Sequence, residues 1–225
     1  MAEAAATETT ATAHKAWDDR WQSETGRADW LDPDPDVAAV VPQLQSRNCS
    51  TLLDLGCGVG RHACYLASRG FAVHAVDASP SGLNFAAAEA ARHGFQISFR
   101  EGLMTDLPYD EGTFDYVLSF NVIYHGDGSV VARAISEIHR VLKPGGLFQG
   151  TMLSKRNANF GVGTEIAPGT FVVSNAGDGD KDHPHFYCNA AELVGLFEDF
   201  ELLSLADREH GSPASYHWHL LAERV

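Results

Sequence analysis

No apolar run in these 225 residues approaches the roughly 20 residues that a membrane-spanning helix needs. Basic residues are also scarce. The chain has 16 Lys and Arg against 30 Asp and Glu, a formal net charge of -14. Neutralising a phosphate backbone takes clustered cations, so neither a nucleic acid nor a membrane is an expected partner. The 4 cysteines, Cys49, Cys57, Cys64 and Cys188, have no regular spacing, which points to reduced thiols in a cytoplasmic protein. Met1 to Ala13 lacks the basic end and apolar stretch of a secretory signal and the arginines of a mitochondrial one. It is expected as a flexible tail. There is no internal repeat and no interdomain linker, so 14–225 is expected as one domain.

Two nucleotide fingerprints are missing as well. No Gly-x-Gly-x-x-Gly follows a strand, and no Gly-Lys-Ser/Thr closes a glycine loop. What stands in their place is Leu52-Leu53-Asp54-Leu55-Gly56-Cys57-Gly58-Val59-Gly60, a buried strand running into a turn with glycine at every second position. Asp54 beside that turn would repel a pyrophosphate and welcome an ammonium. Asp77 ends the next apolar run, Ala72 to Val76, where a carboxylate can accept from both hydroxyls of a ribose. A cationic amino-acid end, a ribose and no phosphate describe S-adenosylmethionine.

Strands and helices alternate through the middle of the chain, which predicts a parallel sheet with helices on both faces. Strands are expected at Thr51–Leu55, Ala72–Val76, Gln96–Arg100, Phe114–Phe120 and Gly146–Met152. Helices are expected near Arg61–Ser68, Ser79–Arg92 and Ser129–Leu142. Before them, 14–46 should hold short helices. After them, 153–187 is glycine-rich and lacks periodicity, as a long substrate or lid loop would. A helix near Ala190–Phe197 and a hairpin of Glu201–Leu205 with Tyr216–Glu223 complete the pattern. Ligands in such sheets bind beyond the carboxyl ends of the strands.

The chain resembles the class I S-adenosylmethionine-dependent methyltransferases. Leu53 to Arg61 is similar to the family's first motif, and Val76-Asp77-Ala78-Ser79 to its ribose-binding acid and follower. Asp106 to Val117 resembles the segment leading into the fourth strand, and Val141 to Leu147 the start of the fifth. The resemblance implies a Rossmann-like, doubly wound α/β sheet of seven strands, mostly parallel, with the last strand antiparallel. It implies that Asp54, Leu55, Gly56, Cys57, Gly58, Gly60, Asp77, Ala78, Leu103, Met104 and Asn121 hold the cofactor, released as S-adenosylhomocysteine. One departure stands out. The family often has Gly-Asp where this chain has Gly102-Leu103-Met104, leaving backbone groups near Leu103 and Met104, or Asp106, for the adenine amino group.

Methyl transfer needs an aligned nucleophile, exclusion of water and, for N–H or O–H acceptors, a base. Tyr124 and His125 leave the fourth strand where family members often position the acceptor, and are the catalytic candidates. Trp17 and Trp21 share one helical face, similar to the leading helix that covers the cofactor in thiol and tellurite-resistance-type members. With Arg156, His183, His185 and Tyr187 they are the candidate acceptor-binding residues. His183-x-His185 and His217-x-His219 invite a metal, but their spacing matches no closed metal site and none is expected. The expected acceptor is a small molecule, a thiol or chalcogen species first, or a nitrogen or oxygen acceptor with His125 as base. The rivals are a cofactor-binding protein that transfers nothing and, against the charge balance, an RNA methyltransferase. The oligomeric state is not legible.

Overall fold

The computed structural model describes residues 12–173 and 182–225. The elements in chain order are α1 (Ala13–Trp21), α2 (Glu24–Arg27), a single 3-10 turn (Ala28–Trp30), α3 (Pro35–Ser46), β1 (Thr51–Leu55), α4 (Arg61–Ser68), β2 (Ala72–Asp77), α5 (Pro80–His93), β3 (Ile97–Glu101), β4 (Phe114–Ser119), α6 (Gly128–Val141), β5 (Leu142–Ser154), β6 (Thr164–Ala167), β7 (Thr170–Val172), β8 (His185–Cys188), α7 (Ala190–Leu196), β9 (Phe200–Glu209) and β10 (Tyr216–Arg224). The tail expected at 1–13 lies outside the described residues up to position 11, and Ala13 already belongs to α1.

β3, β2, β1, β4 and β5 lie side by side and run parallel. β10 pairs antiparallel with the other edge of β5, and β9 closes that side against β10. These seven strands are the doubly wound sheet that the alternating pattern predicts. Its faces follow the pleat, in which successive side chains point to opposite sides. Leu53 and Val117 face one core with Ile135 and Ile138 of α6. Leu52 and Tyr116 face the other, with Val40 and Leu44 of α3 and Leu66 of α4.

The stretch 153–187 departs from expectation. It is not simply a loop, because β6, β7 and β8 lie within it and bring the sheet to ten strands. β5 is longer than predicted and outruns β4, which stops at Ser119. β8 takes over the vacated lane, pairing Tyr187 with Leu153 and Cys188 with Ser154. β7 and β6 follow antiparallel. No helix among the described residues is long and apolar enough to cross a membrane.

The start of α6 is set by one side chain. Asp127 Oδ1 accepts from the N–H groups of Ser129 at 2.9 Å and Val130 at 3.0 Å, two donors that the helix itself leaves unpaired. Val130, Ala134, Ile138 and Val141 then form the buried stripe. Asp127→Ala is expected to lower unfolding free energy by about 1–2 kcal/mol, read by urea denaturation. An unchanged midpoint would show that α6 is held by its apolar face alone.

Candidate active site

The glycine turn works because two of its positions admit no side chain. Gly56 has φ +72°, and a Cβ there would lie 2.4 Å from the Val122 side chain. Gly58 has φ +50°, and its Cβ would meet the Trp21 indole at 3.2 Å. The backbone therefore turns left-handed under two packed side chains, as glycine does without strain. Beyond the carboxyl ends of β1, β2 and β4 the turn opens into a cleft with about 950 Å³ of empty space, its mouth included.

Asp77 ends β2 and reaches across to the turn. Its Oδ2 accepts from Gly58 N–H at 2.7 Å, and its Oδ1 from Ser79 N–H at 2.8 Å. Each oxygen keeps a second acceptor position. Burial raises the carboxyl's pKa, while the Gly58 and Ser79 N–H groups draw it down.

Three indoles roof the cleft. Trp17 and Trp21 stack at 5.0 Å, and Trp30 meets both edge-on at 5.2 and 5.7 Å. The Arg20 and Arg61 guanidinium groups lie over Trp30 at 5.9 and 5.0 Å. Asp18 ties α1 to the start of α5, its Oδ1 accepting from Ser79 Oγ and Ser81 N–H, both at 2.8 Å. The Ser81 N–H is the main influence holding the Asp18 carboxyl below its ordinary range.

Most of the sequence-derived candidates meet here. Leu55, Gly56, Cys57, Gly58, Asp77, Ala78, Leu103, Met104, Asn121, His125, Trp17 and Trp21 all line the cleft. Gly60 lies just behind it as the N-cap of α4, at φ +81°. Asp54 is not in the lining. It is buried behind the turn, where its carboxylate accepts from Ala63 N–H in the first turn of α4. Tyr124 stands behind His125, with ring centroids 4.6 Å apart. His183 and His185 do not line the cleft but pack on His125 at 4.9 Å each.

Two candidates are drawn elsewhere. Arg156 stacks on Tyr216 at 4.1 Å and pairs with Asp207 at 3.4 Å. Tyr187 is buried against Phe160 and Phe171. The sequence reading missed Trp30, His14, Arg61 and His62 in the lining, although Arg61 directly follows the glycine turn. It also passed over His210, whose Nε2 accepts from Asn121 Nδ2 at 3.0 Å. Asn121 itself holds φ +64° and is braced by Thr151, whose Oγ1 accepts from its N–H and donates to its Oδ1. Asp106 is not part of the lining, and Leu103 and Met104 present an apolar wall there.

The donor set decides what fits. A pyrophosphate needs free N–H groups in the turn and at the helix start. Here Gly58 N–H is given to Asp77, and Asp54 faces the first turn of α4. Two carboxylates occupy what a phosphate would require. A sulfonium nucleoside brings a cation and hydroxyls instead, and these residues fit it. Cys57 is no nucleophile, because burial pushes its thiol well above its ordinary range.

Asp54 Oδ2 is buried with no hydrogen-bond partner among the described residues, and burial raises the carboxyl to about 7 against the pull of Arg61 and Ala63 N–H. In the unfolded chain an aspartate titrates near 3.9 (about 4). The folded state thus binds this proton more tightly. Its stabilising contribution is complete below about pH 4 and is lost as pH rises through about 7. Asp54→Asn, which mimics the neutral acid, is expected to exceed the parent in stability by roughly 1–4 kcal/mol at about pH 8, the difference closing towards pH 4. Parallel urea-unfolding curves across this range would contradict it.

Residues 52–146 match the family described as "Methyltransferase domain". An uncharacterized methyltransferase of Synechocystis sp. is 40% identical over 97 residues, which cover 43% of this chain and 44% of that protein. A ubiquinone biosynthesis O-methyltransferase of Caulobacter vibrioides is 40% identical over 99 residues, 43% of this chain and 38% of that one. The chain thus aligns with less than half the length of either curated relative. A solved S-adenosylmethionine-dependent methyltransferase of Methanosarcina mazei superposes with a TM-score of 0.70 at 21% identity, covering 87% of this chain and 99% of that one. The matched region takes in the glycine turn, Asp77 and the strands that carry them, so residues 52–146 are similar to a methyltransferase domain, and the fold likeness extends over most of the chain.

Proposed function

We propose that this protein transfers the methyl group of S-adenosylmethionine to a small molecule, with a thiol or chalcogen species as the first acceptor class to test. The observation that carries the proposal is the indole-lined cleft that ends at His125. A cleft closed by Trp17, Trp21 and Trp30 suits a small acceptor better than a polymer. The surplus of 30 acidic over 16 basic residues argues the same way.

When bound, the cofactor supplies an electrophilic methyl on a sulfonium whose departure is already favourable. The residues of this chain do the rest. Asp77 holds the ribose hydroxyls on its remaining lone pairs, and Leu103 and Met104 pack the adenine. The backbone at 56–58 accommodates the methionine end. Asn121 and His125 border the acceptor, and the indoles exclude water, which strengthens attraction between the cation and the surrounding carboxylates.

Thiolates and selenium or tellurium anions attack without a base. A second class, nitrogen or oxygen acceptors, is favoured by one observation: His125 stands at the cleft wall, where an imidazole nitrogen can take a proton from the acceptor. In that case the proton leaves the acceptor for an imidazole nitrogen as the new bond to carbon forms.

Asp77→Ala is expected to weaken S-adenosylhomocysteine binding by about 1–3 kcal/mol in calorimetry, the cost of leaving polar groups unpaired. Equal affinity would remove Asp77 from the ribose. Incubation with S-adenosylmethionine and a panel of thiol, selenol, hydroxyl and amine acceptors should release S-adenosylhomocysteine with at least one class. Tight cofactor binding without release across the panel would make this a binding protein instead. His125→Ala should slow a nitrogen or oxygen acceptor about 100-fold or more at unchanged cofactor affinity.

A further inference from the structure

His125, His183 and His185 come from two parts of the sequence that only the fold brings together. Tyr124 to Gly126 and Pro184 to Phe186 form a single antiparallel bridge, with His125 directly opposite His185. Phe186 N–H donates to Tyr124 O at 2.9 Å, and Gly126 N–H to Pro184 O at 3.0 Å. These bonds flank the histidine pair, making it a non-hydrogen-bonded pair, the kind whose side chains stand closest. His183, in the bend just before β8, brings its ring to 4.5 Å from that of His185. Pro184 costs the bridge nothing, since only its carbonyl is used. Cys188, three residues after His185, falls on the other face and donates to Leu153 O.

The result is a buried triad of imidazoles, with His125 6%, His183 4% and His185 1% exposed. One ring nitrogen from each lies within 4.8 Å of the others. The ring centroids are 4.5 to 4.9 Å apart. Ligands of a tetrahedral zinc stand about 3.4 Å apart, so small side-chain rotations close the set. His185 is already oriented. Its Nδ1 donates to the His183 carbonyl at 2.8 Å, which makes Nε2 the ring's coordinating atom. That carbonyl contact is the outer support that metal-ligating histidines characteristically have.

We propose that His125, His183 and His185 form a binding site for a divalent transition metal, zinc, iron or cobalt in class, with a coordination position left for the methyl acceptor. Three neutral imidazoles without a carboxylate select borderline metals over magnesium or calcium. Three protein ligands leave room for an exogenous fourth, as catalytic zinc sites do. His125 is the ligand that lines the cleft, so the metal sits at its acceptor end. The site stands on the geometry alone; its use in activating the acceptor rests on the methyl-transfer proposal above. The acceptor X–H binds the metal and loses its proton to water. The X⁻ lone pair then forms the bond to the methyl carbon as the carbon–sulfur bond breaks and its electron pair goes to sulfur. The products are X–CH3 and the neutral thioether. His125 is then a ligand and not a base.

The test uses untagged protein stripped with a chelator and titrated with Co²⁺ alone. Expected is one equivalent bound, with the visible absorption of four-coordinate cobalt, displaced by Zn²⁺. His183→Ala and His185→Ala should each weaken binding at least about tenfold. His219→Ala, in a histidine that instead pairs with Asp36, should not. S-adenosylhomocysteine affinity, measured on each variant, should stay at the parent value and shows that the cofactor half is folded. Absence of micromolar binding, or binding indifferent to both triad substitutions, overturns the site. Turnover that survives complete chelation unchanged overturns the activating role. Cofactor binding with metal bound and no acceptor turned over tells against methyl transfer while leaving the site intact.

Discussion

The contact on which the cleft depends is the one between the end of β2 and the turn after β1. Asp77 spends one oxygen on Gly58 N–H and the other on Ser79 N–H. The first bond fixes the glycine turn against the neighbouring strand, and the second starts α5. Because the turn's amide is answered by a carboxylate, the site cannot also answer a phosphate. Asp54 repeats the logic behind the turn, facing the start of α4 from a position without water. The same fold that seats dinucleotides at a helix N-terminus here places two carboxylates where a phosphate would need free N–H groups.

The second constraint is the roof. α1 has little apolar surface of its own, with only Ala13 and Trp21 buried. It is held by Asp18 on Ser79 and Ser81, and by Trp21 resting on Gly58 and Gly82. The cover therefore contacts the very turn and helix start that Asp77 organises. Roof and floor thus share their anchors.

Much of this was legible in the chain. The five parallel strands fall within a few residues of their predicted bounds, because each is a short apolar run punctuated by glycine or acid. The glycine turn and Asp77 carry their chemistry in their spacing. What escaped was non-local. The strands β6 to β8 are 4, 3 and 4 residues long, too short for an alternation to register. Arg156 looked available because nothing in sequence announces Asp207 as its partner. Asp54 reads as part of the site by adjacency, yet its side chain points behind the turn, a matter of strand phase. Trp30 joins Trp17 and Trp21 only because a 3-10 turn folds it back.

The histidines show the same limit most clearly. In sequence, His183 and His185 pair naturally with His217 and His219, two His-x-His stretches on strands. The fold separates them: His219 turns to Asp36, and His210 to Asn121. The partner that β8 finds is His125, because β5 outruns β4 and leaves a lane in which β8 lies beside the loop after Phe120. A bridge of a single residue pair thereby joins the segment leading into β8 to the loop that borders the cleft. Were β4 longer, it would fill that lane and the three imidazoles would never meet. The early end of one strand is what places a set of nitrogen donors at the cleft wall that His125 forms.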